Sequence, residues 1–264
     1  MSDSNKSYTR EVAAIITAMT DGEKAFIKSS VESILLDSSI GQVIICVATQ
    51  NDWLEPTLGS LTADPRLTIL RLPMASQAVV RNRALEWVNL SWVAYCDGDD
   101  VWCEGKTSAQ LAYAQKTNSD FVGADHFLID ERGRIKAYAM AHLIPMLSSW
   151  MVRTEVMRQY PFDESVPPGE EDGEWWIRTK NLIHKVRYPK MFLKYRVRSG
   201  SSSSSAPSKQ RKARIISLAS IPVLGIGVLV LTWCIWQLKR QNQYVWLEEW
   251  EINYPQTQSM FFKI

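Results

Sequence analysis

The chain has 264 residues, 46% hydrophobic and 22% charged, which excludes a wholly disordered chain and an all-membrane transporter. Its 30 Lys and Arg against 28 Asp and Glu leave a formal net charge of +2, so nucleic-acid binding is not indicated. Four cysteines without a C-x-x-C pair indicate neither a zinc site nor a disulfide framework. The polar N-terminal residues lack the apolar region of a secretory signal, so we expect the chain to begin with a soluble domain.

Short apolar runs alternate with helical patterns along the N-terminal half. Residues 12–17, 42–48, 67–72 and 92–96 are apolar and mostly rich in β-branched side chains, which predicts buried strands. Residues 25–36 and 77–88 place apolar side chains at helical spacing between those strands. The alternation predicts an α/β domain in which helices cover both faces of a sheet.

Acidic residues directly follow the fourth predicted strand, in the sequence DGDD at 97–100. Ligands of open α/β sheets bind outside the carboxyl ends of the strands. Gly98 removes side-chain bulk between the carboxylates, whose oxygens suit Mg²⁺ or Mn²⁺, and such a cation can neutralise a diphosphate. Taken alone, the string is equally compatible with a solvated acidic turn.

The composition changes near Ser199, where a Ser-rich and then basic stretch begins. Residues 199–214 are predicted to be a linker, 215–238 a transmembrane helix and 239–264 a short tail, on the membrane or in an aromatic belt. A buried core helix is the alternative for 215–238. Basic residues are denser before the uncharged run than after it, which predicts a single-pass protein whose N-terminal domain faces the cytoplasm.

Three segments occur in the order found in family 2 of the inverting glycosyltransferases. Residues 81–106 (RNRALEWVNLSWVAYCDGDDVWCEGK) resemble the family's Arg-Asn, helix, strand and D-x-D-D-x-W with a following Lys. Residues 162–180 (FDESVPPGEEDGEWWIRTK) are similar to its Phe-Asp-Glu and Gly-Glu-Asp segment. Residues 195–203 (YRVRSGSSS) resemble the segment that closes over the diphosphate. The resemblance covers about 12–202 and implies a GT-A fold in a domain at 1–198, a Rossmann-related mixed sheet flanked by helices.

The resemblance also implies roles for individual acidic residues. Asp99, with Asp97 or Asp100, would hold the Mg²⁺ or Mn²⁺ on the leaving diphosphate. Asp172 would be the general base that takes the proton of the attacking hydroxyl. The alternative for residues 170–172 is a set of carboxylates that stabilises the N-terminus of the next helix.

Basic and aromatic residues near these carboxylates are also candidates for the site or its support. Arg81 and Asp97 are predicted donor-binding residues, although Arg81 could instead cap its helix or form an ion pair. Arg198 replaces the family's usual His; it can pair with phosphate oxygens but cannot be a metal ligand. Trp102 is expected to pack beneath the acidic residues, and Lys106 to pair with them.

Other aromatic and imidazole side chains point less clearly to function. Trp175 and Trp176 could stack on a sugar ring, but core packing is the more frequent use of such residues. The histidines, at 126, 142 and 184, show no metal-ligand spacing and are interpreted as structural.

Two departures from the family pattern concern the nucleotide base. The usual Tyr-Asn turn after the first strand is replaced by residues 19–21 (MTD), and the paired aspartates after the second strand by 48–52 (ATQND). Asp21 or Asp52 could substitute from a shifted position.

The function expected from these features is a hexosyltransferase-type enzyme, inverting and metal-dependent, in cell-surface glycan or glycolipid synthesis. Its partners would be a nucleotide-diphospho-sugar donor, a glycan or lipid-linked acceptor and the membrane, without nucleic acid. The alternative is a catalytically inactive GT-A domain that binds a nucleotide sugar or a partner as a membrane-tethered scaffold. A nucleotidyltransferase is disfavoured because no Gly-rich loop bearing Lys or Arg follows the first strand.

Overall fold

A computed structural model describes residues 10–139 and 144–198 of the chain, together with Ile226, Gly227 and Val230. The chain divides into two compact units, and each is described by itself. The described residues of the first unit are 10–126 and 144–195; those of the second are 127–139, 196–198 and the three isolated positions.

The first unit begins with four parallel strands in the order β3-β2-β1-β4. They are β1 (Val12–Ala18), β2 (Ile40–Ala48), β3 (Leu67–Leu72) and β4 (Trp92–Asp97). β1 is central, with Thr17 opposite Cys46 on one side and Asp97 on the other. The four strands predicted from apolar runs are confirmed, and their aligned carboxyl ends bring the acidic residues at 97–100 to the end of β1.

Helices pack on both faces of this sheet, as the alternation predicts. Three helices belong to this part: α1 (Ile27–Leu35), α2 (Leu54–Leu58) and α3 (Gln77–Leu85). Alternate β1 residues face α1 and α2 in one buried cluster and α3 in another, so neither face is left open. Each fully buried Ile or Val contributes about 1.5–3 kcal/mol, which makes this layered core the main source of stability.

Two helices are shorter than predicted because turns with their own hydrogen bonds occupy the ends. The first begins at Ile27, since residues 21–23 form a 3₁₀ turn capped by Thr20 and Glu23. The helix α3 ends at Leu85, after which Val88 N–H donates to the Leu85 carbonyl in a tighter turn.

The described residues after β4 make the sheet mixed. Its elements are β5 (Val101–Trp102), α4 (Lys106–Thr117), β6 (Phe121–Ile129), β7 (Ile135–Ala139), β8 (Met151–Arg153), α5 (Thr154–Gln159), α6 (Glu171–Arg178) and β9 (Lys185–Arg196). The sheet continues as β4-β8-β6-β9-β5, and the pairs β4/β8, β6/β8 and β5/β9 are antiparallel. The predicted mixed α/β sheet with flanking helices is therefore confirmed.

In the second unit, β7 pairs with β6 after a tight turn. Gly133 has a φ of +77°, a conformation that favours glycine, and its N–H donates to the Asp130 carbonyl. Val197 N–H bonds to the Ile129 carbonyl, which attaches the residues after β9 to this hairpin.

Among the residues that the structure describes, no helix has the length and apolarity needed to cross a bilayer. The predicted transmembrane segment 215–238 lies outside the described residues except at Ile226, Gly227 and Val230, and the predicted linker and tail lie wholly outside them. Those assignments, and the domain boundary at 198, stay predictions.

Candidate active site

Asp97 is the last residue of β4 and is held at the end of β1. Thr17 Oγ1 donates to its Oδ1 over 3.1 Å, and the Asp97 N–H bonds to Ser148 Oγ over 3.1 Å. The side chain keeps 38% of its surface exposed, and no described residue donates a hydrogen bond to Oδ2. One carboxylate oxygen is thus fixed by the protein, and the other is free to meet a ligand.

Residues 97–100, here called the acidic turn, lie directly against β1. The Gly98 N–H donates to the Thr17 carbonyl over 2.8 Å, and a Cβ at Gly98 would lie only 2.9 Å from that oxygen. Asp100 N–H closes the turn on the Asp97 carbonyl over 3.0 Å. A side chain at Gly98 would therefore be obstructed by the backbone of β1. Asp99 and Asp100 are both buried.

Arg81, on α3, joins the acidic turn to α6. Its guanidinium lies 3.0 Å from Asp97 Oδ1 and 2.8 Å from Glu171 Oε1, and its side chain is 4% exposed. Burial acts to lower the pKa of the guanidinium, but the charges of Asp97, Glu171 and Asp172 raise it above its ordinary value. Of the two interpretations of Arg81, ion pairing is observed, and the phosphate contact stays a prediction.

Glu171 and Asp172 open helix α6 but have different environments. Glu171 is buried and fully engaged, since its Oε1 pairs with Arg81 and its Oε2 accepts the Gly169 N–H over 2.7 Å. Asp172 Oδ1 accepts the N–H of Gly173 over 2.7 Å. Burial raises the pKa of the Asp172 carboxyl, and the charge of Glu171 raises it further. Glu171 is therefore a structural partner of Arg81, and the role of Asp172 as the general base stays a prediction.

Trp102 and Lys106 follow the acidic turn in the sequence and pack against each other in the core. Trp102 Nε1 donates to the Ser148 carbonyl over 3.0 Å, so the expected packing role of this ring is confirmed. Lys106 Nζ lies 4.0 Å from the centre of the Trp102 ring and makes no hydrogen bond. Burial lowers the pKa of the Lys106 ammonium to about 7.

The residues that depart from the family pattern, 19–21 and 48–52, contact each other at the ends of β1 and β2. Trp53 Nε1 donates to Asp21 Oδ1 over 2.7 Å, and Asn51 Nδ2 donates to the Met19 carbonyl over 3.1 Å. The Asp52 side chain is 94% exposed and lies 4.0 Å from Arg71. Asp21 is thus hydrogen-bonded to Trp53, which follows β2, whereas the Asp52 side chain extends into solvent.

Of the remaining aromatic and histidine candidates, Trp175 and His126 are buried and structural. Trp175 is fully buried and donates to the Tyr160 carbonyl over 2.6 Å, which excludes sugar stacking by that ring. Lys185 Nζ covers the Trp176 ring at 4.4 Å. His126 is buried, and burial lowers its pKa to about 4, so it is neutral at physiological pH. His142 lies outside the described residues.

Arg198 follows β9 in the second unit and is half-buried. Its predicted contact with phosphate oxygens stays a prediction. Two residues that organise the site were missed by sequence reasoning, Thr17 and Ser148. A polar residue at the carboxyl end of an apolar strand is a usable signal for Thr17, but nothing in the local sequence marks Ser148.

The acidic turn is the candidate cation site. No three His, Cys, Asp or Glu side chains converge on a metal-sized position anywhere in the described ranges. Asp97 Oδ2 accepts no hydrogen bond from the described residues, so this oxygen could bind a hard cation whose shell is completed by diphosphate oxygens. Asp97, Asp99 and Asp100 remain the predicted ligands.

No protein-family model matches the chain, and no curated protein matches its sequence. Among solved structures, residues 1–349 of S. aureus TarS in complex with UDP-GlcNAc superpose with a TM-score of 0.62 at 15% identity, covering 75% of this chain and 61% of that one. The TarS complex with UDP gives 0.59 at 13% identity, covering 71% and 60%. A longer TarS structure gives 0.58 at 13% identity, covering 71% and 37%.

The chain spans less than two thirds of the length of these TarS structures. At this level of identity the likeness establishes the fold. The chain has the mixed α/β fold of the glycosyltransferase TarS.

Proposed function

We propose that this chain is an inverting glycosyltransferase that moves a sugar from a nucleotide-diphospho-sugar to an acceptor hydroxyl. The observation that carries the proposal is the Arg81 cluster, which holds Asp97 of the acidic turn and Glu171 of α6 on one guanidinium. Asp172 is the next residue along α6. Asp97, the proposed donor-side carboxylate, and Asp172, the proposed proton acceptor, therefore belong to elements joined through Arg81, which supports the proposal of a single displacement.

The donor is proposed to bind at the carboxyl ends of β1, β2 and β4. TarS has been crystallised with UDP-GlcNAc and with UDP, which supports a uridine diphosphate sugar as the first probe for this chain. Asp97, Asp99 and Asp100 would hold Mg²⁺ or Mn²⁺, which supplies charge neutralisation on the leaving diphosphate. Arg81 and Arg198 are proposed to add positive charge on the donor side.

Asp172 is proposed to be the general base. A carboxylate removes a proton more effectively when its pKa is closer to the working pH, and burial and Glu171 raise the pKa of Asp172. It would take the proton of the attacking hydroxyl while Glu171 stays bound to Arg81. Attack on the face opposite the leaving diphosphate would invert the anomeric carbon.

The acceptor and the membrane belong to the same proposal. A glycan or lipid-linked acceptor would be reached by a domain that is tethered at the cytoplasmic face by residues 215–238, whose uncharged length suits a bilayer. Truncation after Ser205 should release the domain from membranes. Continued sedimentation of the truncated protein with lipid after a salt wash would contradict the tether.

A donor-hydrolysis screen tests the enzymatic function. The full chain is incubated with UDP-, GDP- and dTDP-sugars in Mn²⁺ or Mg²⁺, and release of the nucleoside diphosphate is measured. We expect metal-dependent turnover of at least one donor and its near-complete loss in Asp99→Ala. Full turnover in the presence of a chelator would contradict the metal site. Tight binding of a donor without turnover would replace the enzyme by the scaffold alternative.

A further inference from the structure

We propose that Asn82 is a positioning residue for Asp172. Together with Arg81, it holds the two ends of residues 162–171, the segment that precedes Asp172. This role rests on the proposed function, because it assigns Asn82 to the orientation of the proposed base. The sequence resemblance gives Asn82 a place in a motif but no role.

Asn82 binds the backbone of Phe162 in both directions. Its Nδ2 donates to the Phe162 carbonyl over 2.9 Å, and its Oδ1 accepts the Phe162 N–H over 3.1 Å. Nδ2 also donates to Glu164 Oε1 over 2.9 Å. An amide is suited to this use because it presents donors and an acceptor side by side. The start of the segment is therefore fixed by one side chain of α3.

Arg81 fixes the other end of the same segment. It is adjacent to Asn82 in α3, and it pairs with Glu171 across 90 positions of sequence. Asp172 follows Glu171 directly. Two consecutive residues of one helix thus hold the beginning and the end of segment 162–171.

Little else fixes the segment between these two points. Phe162 and Glu171 are buried, but residues 163–170 are exposed except for half-buried Val166. Gly169 has a φ of +85°, and the bonds inside the segment are local, such as Ser165 N–H to Asp163 Oδ1. Between its buried ends the segment has no core anchor, and α3 binds both of those ends.

The ring of Phe162, the first residue of the segment, packs in the core. Its ring makes an edge contact with Tyr95 at 5.7 Å and lies 5.9 Å from the Arg81 guanidinium carbon. Tyr95 belongs to β4, the strand that ends at Asp97. The first residue of the segment consequently packs against the same strand that carries the acidic turn.

The test uses the full chain with Asn82→Ala, Asn82→Asp and the double variant Asn82→Asp, Glu164→Gln. A displaced catalytic group commonly costs up to about 10²-fold in rate, so we expect Asn82→Ala to lower kcat of donor hydrolysis by roughly 10- to 100-fold. Affinity for UDP with Mn²⁺, measured by calorimetry, should stay unchanged. Amide hydrogen exchange should become faster in residues 162–171.

The double variant separates positioning from general damage. Asn82→Asp places a carboxylate against Glu164, whereas Gln at 164 can donate to it, so the double variant should recover part of the lost kcat. Arg83→Ala is the matched control, because Arg83 is the next residue of α3 and pairs at the surface with Glu86. It should leave kcat, UDP affinity and exchange unchanged.

Two outcomes overturn the inference while leaving the proposed function intact. One is wild-type kcat in Asn82→Ala from an active wild-type chain; the other is a parallel loss of UDP affinity and kcat, which indicates general damage. A wild-type chain that turns over no donor would overturn the proposed function and, with it, this role.

Discussion

Arg81 and Lys106 are both buried basic residues, and their surroundings differ. Arg81 is 4% exposed and lies within 3.0 Å of two carboxylates. Lys106 is fully buried; its Nζ lies over the Trp102 ring and makes no hydrogen bond. Burial opposes the charged form of both groups, but only Arg81 has partners that more than offset it.

The difference separates a permanent charge from one that can be lost. The pKa of Arg81 is raised by its carboxylate partners despite burial, so it stays charged. The pKa of Lys106 is lowered by burial to about 7, although the charge of Asp37 acts to raise it. A fixed charge suits a residue that organises the proposed site, whereas Lys106 is suited to a packing role.

Removal of the Arg81 charge should give the largest loss of stability. Arg81→Met leaves Glu171 buried without its cation, and breaking such a buried pair typically costs about 3–5 kcal/mol. Because Asp97 is partly exposed, we expect the lower end of that range in the free energy of unfolding, measured with urea. Arg83→Met is the matched surface control. A loss equal to that of the control would show that the two ion pairs contribute little.

A conservative change at the same position should cost less. Arg81→Lys keeps the charge, but an ammonium cannot bridge two carboxylates with the planar geometry of a guanidinium. The loss of one charge-assisted hydrogen bond is worth about 1.5–3 kcal/mol in the free energy of unfolding. Stability equal to the wild type would show that charge alone, without the bridge, holds the cluster.

Lys106 should give the smallest effect at neutral pH and a distinct pH dependence. Replacement of a buried charge by a packed apolar side chain is often neutral, so Lys106→Met should change stability by about 1 kcal/mol or less at pH 7. Between pH 7 and the ordinary lysine pKa, the unfolded chain holds a proton that the folded chain has lost. Wild-type stability should therefore rise with pH in that window relative to Lys106→Met.

Urea unfolding of both chains at pH 6, 7, 8 and 9 measures this slope. The same difference in stability at every pH would show that Lys106 keeps an ordinary pKa in the folded protein. That result would remove the contrast with Arg81.

The pH dependence of turnover should report the raised pKa of Asp172. The base must be ionised, so kcat should fall on the acid side as pH drops through that pKa, above the ordinary Asp value. Glu171→Gln removes a neighbouring negative charge and should move this limb to lower pH. If the acid side of the kcat profile lies at the same pH in Glu171→Gln as in the wild type, Glu171 does not affect the pKa of the titrating group.

The parallel half of the fold could be predicted because its information is local. A strand such as β2 is a largely buried apolar run, and helix α1 buries apolar side chains at helical spacing. The antiparallel half could not be assigned in this way. β8 and β5 have three and two residues, too few to show any period, and their place depends on pairing with β4 and β9.

The candidate site shows the same limit. The acidic turn and α6 were located from motifs, but the ion pair of Arg81 with Glu171 joins residues 90 positions apart. Lys106 was expected beside the acidic residues, and its nitrogen instead stacks on Trp102, a choice decided by packing in the core. Contacts made across the fold, such as Ser148 to Asp97, leave no local pattern to read.

The central claim is that Asp172, and not its neighbour Glu171, is the proton acceptor. The direct measurement compares kcat of donor turnover in Asp172→Asn and Glu171→Gln, with UDP affinity measured in parallel. We expect Asp172→Asn to lose about 10²- to 10⁴-fold in kcat at nearly constant affinity, and Glu171→Gln to lose much less. Full turnover in Asp172→Asn together with an inactive Glu171→Gln would contradict the claim.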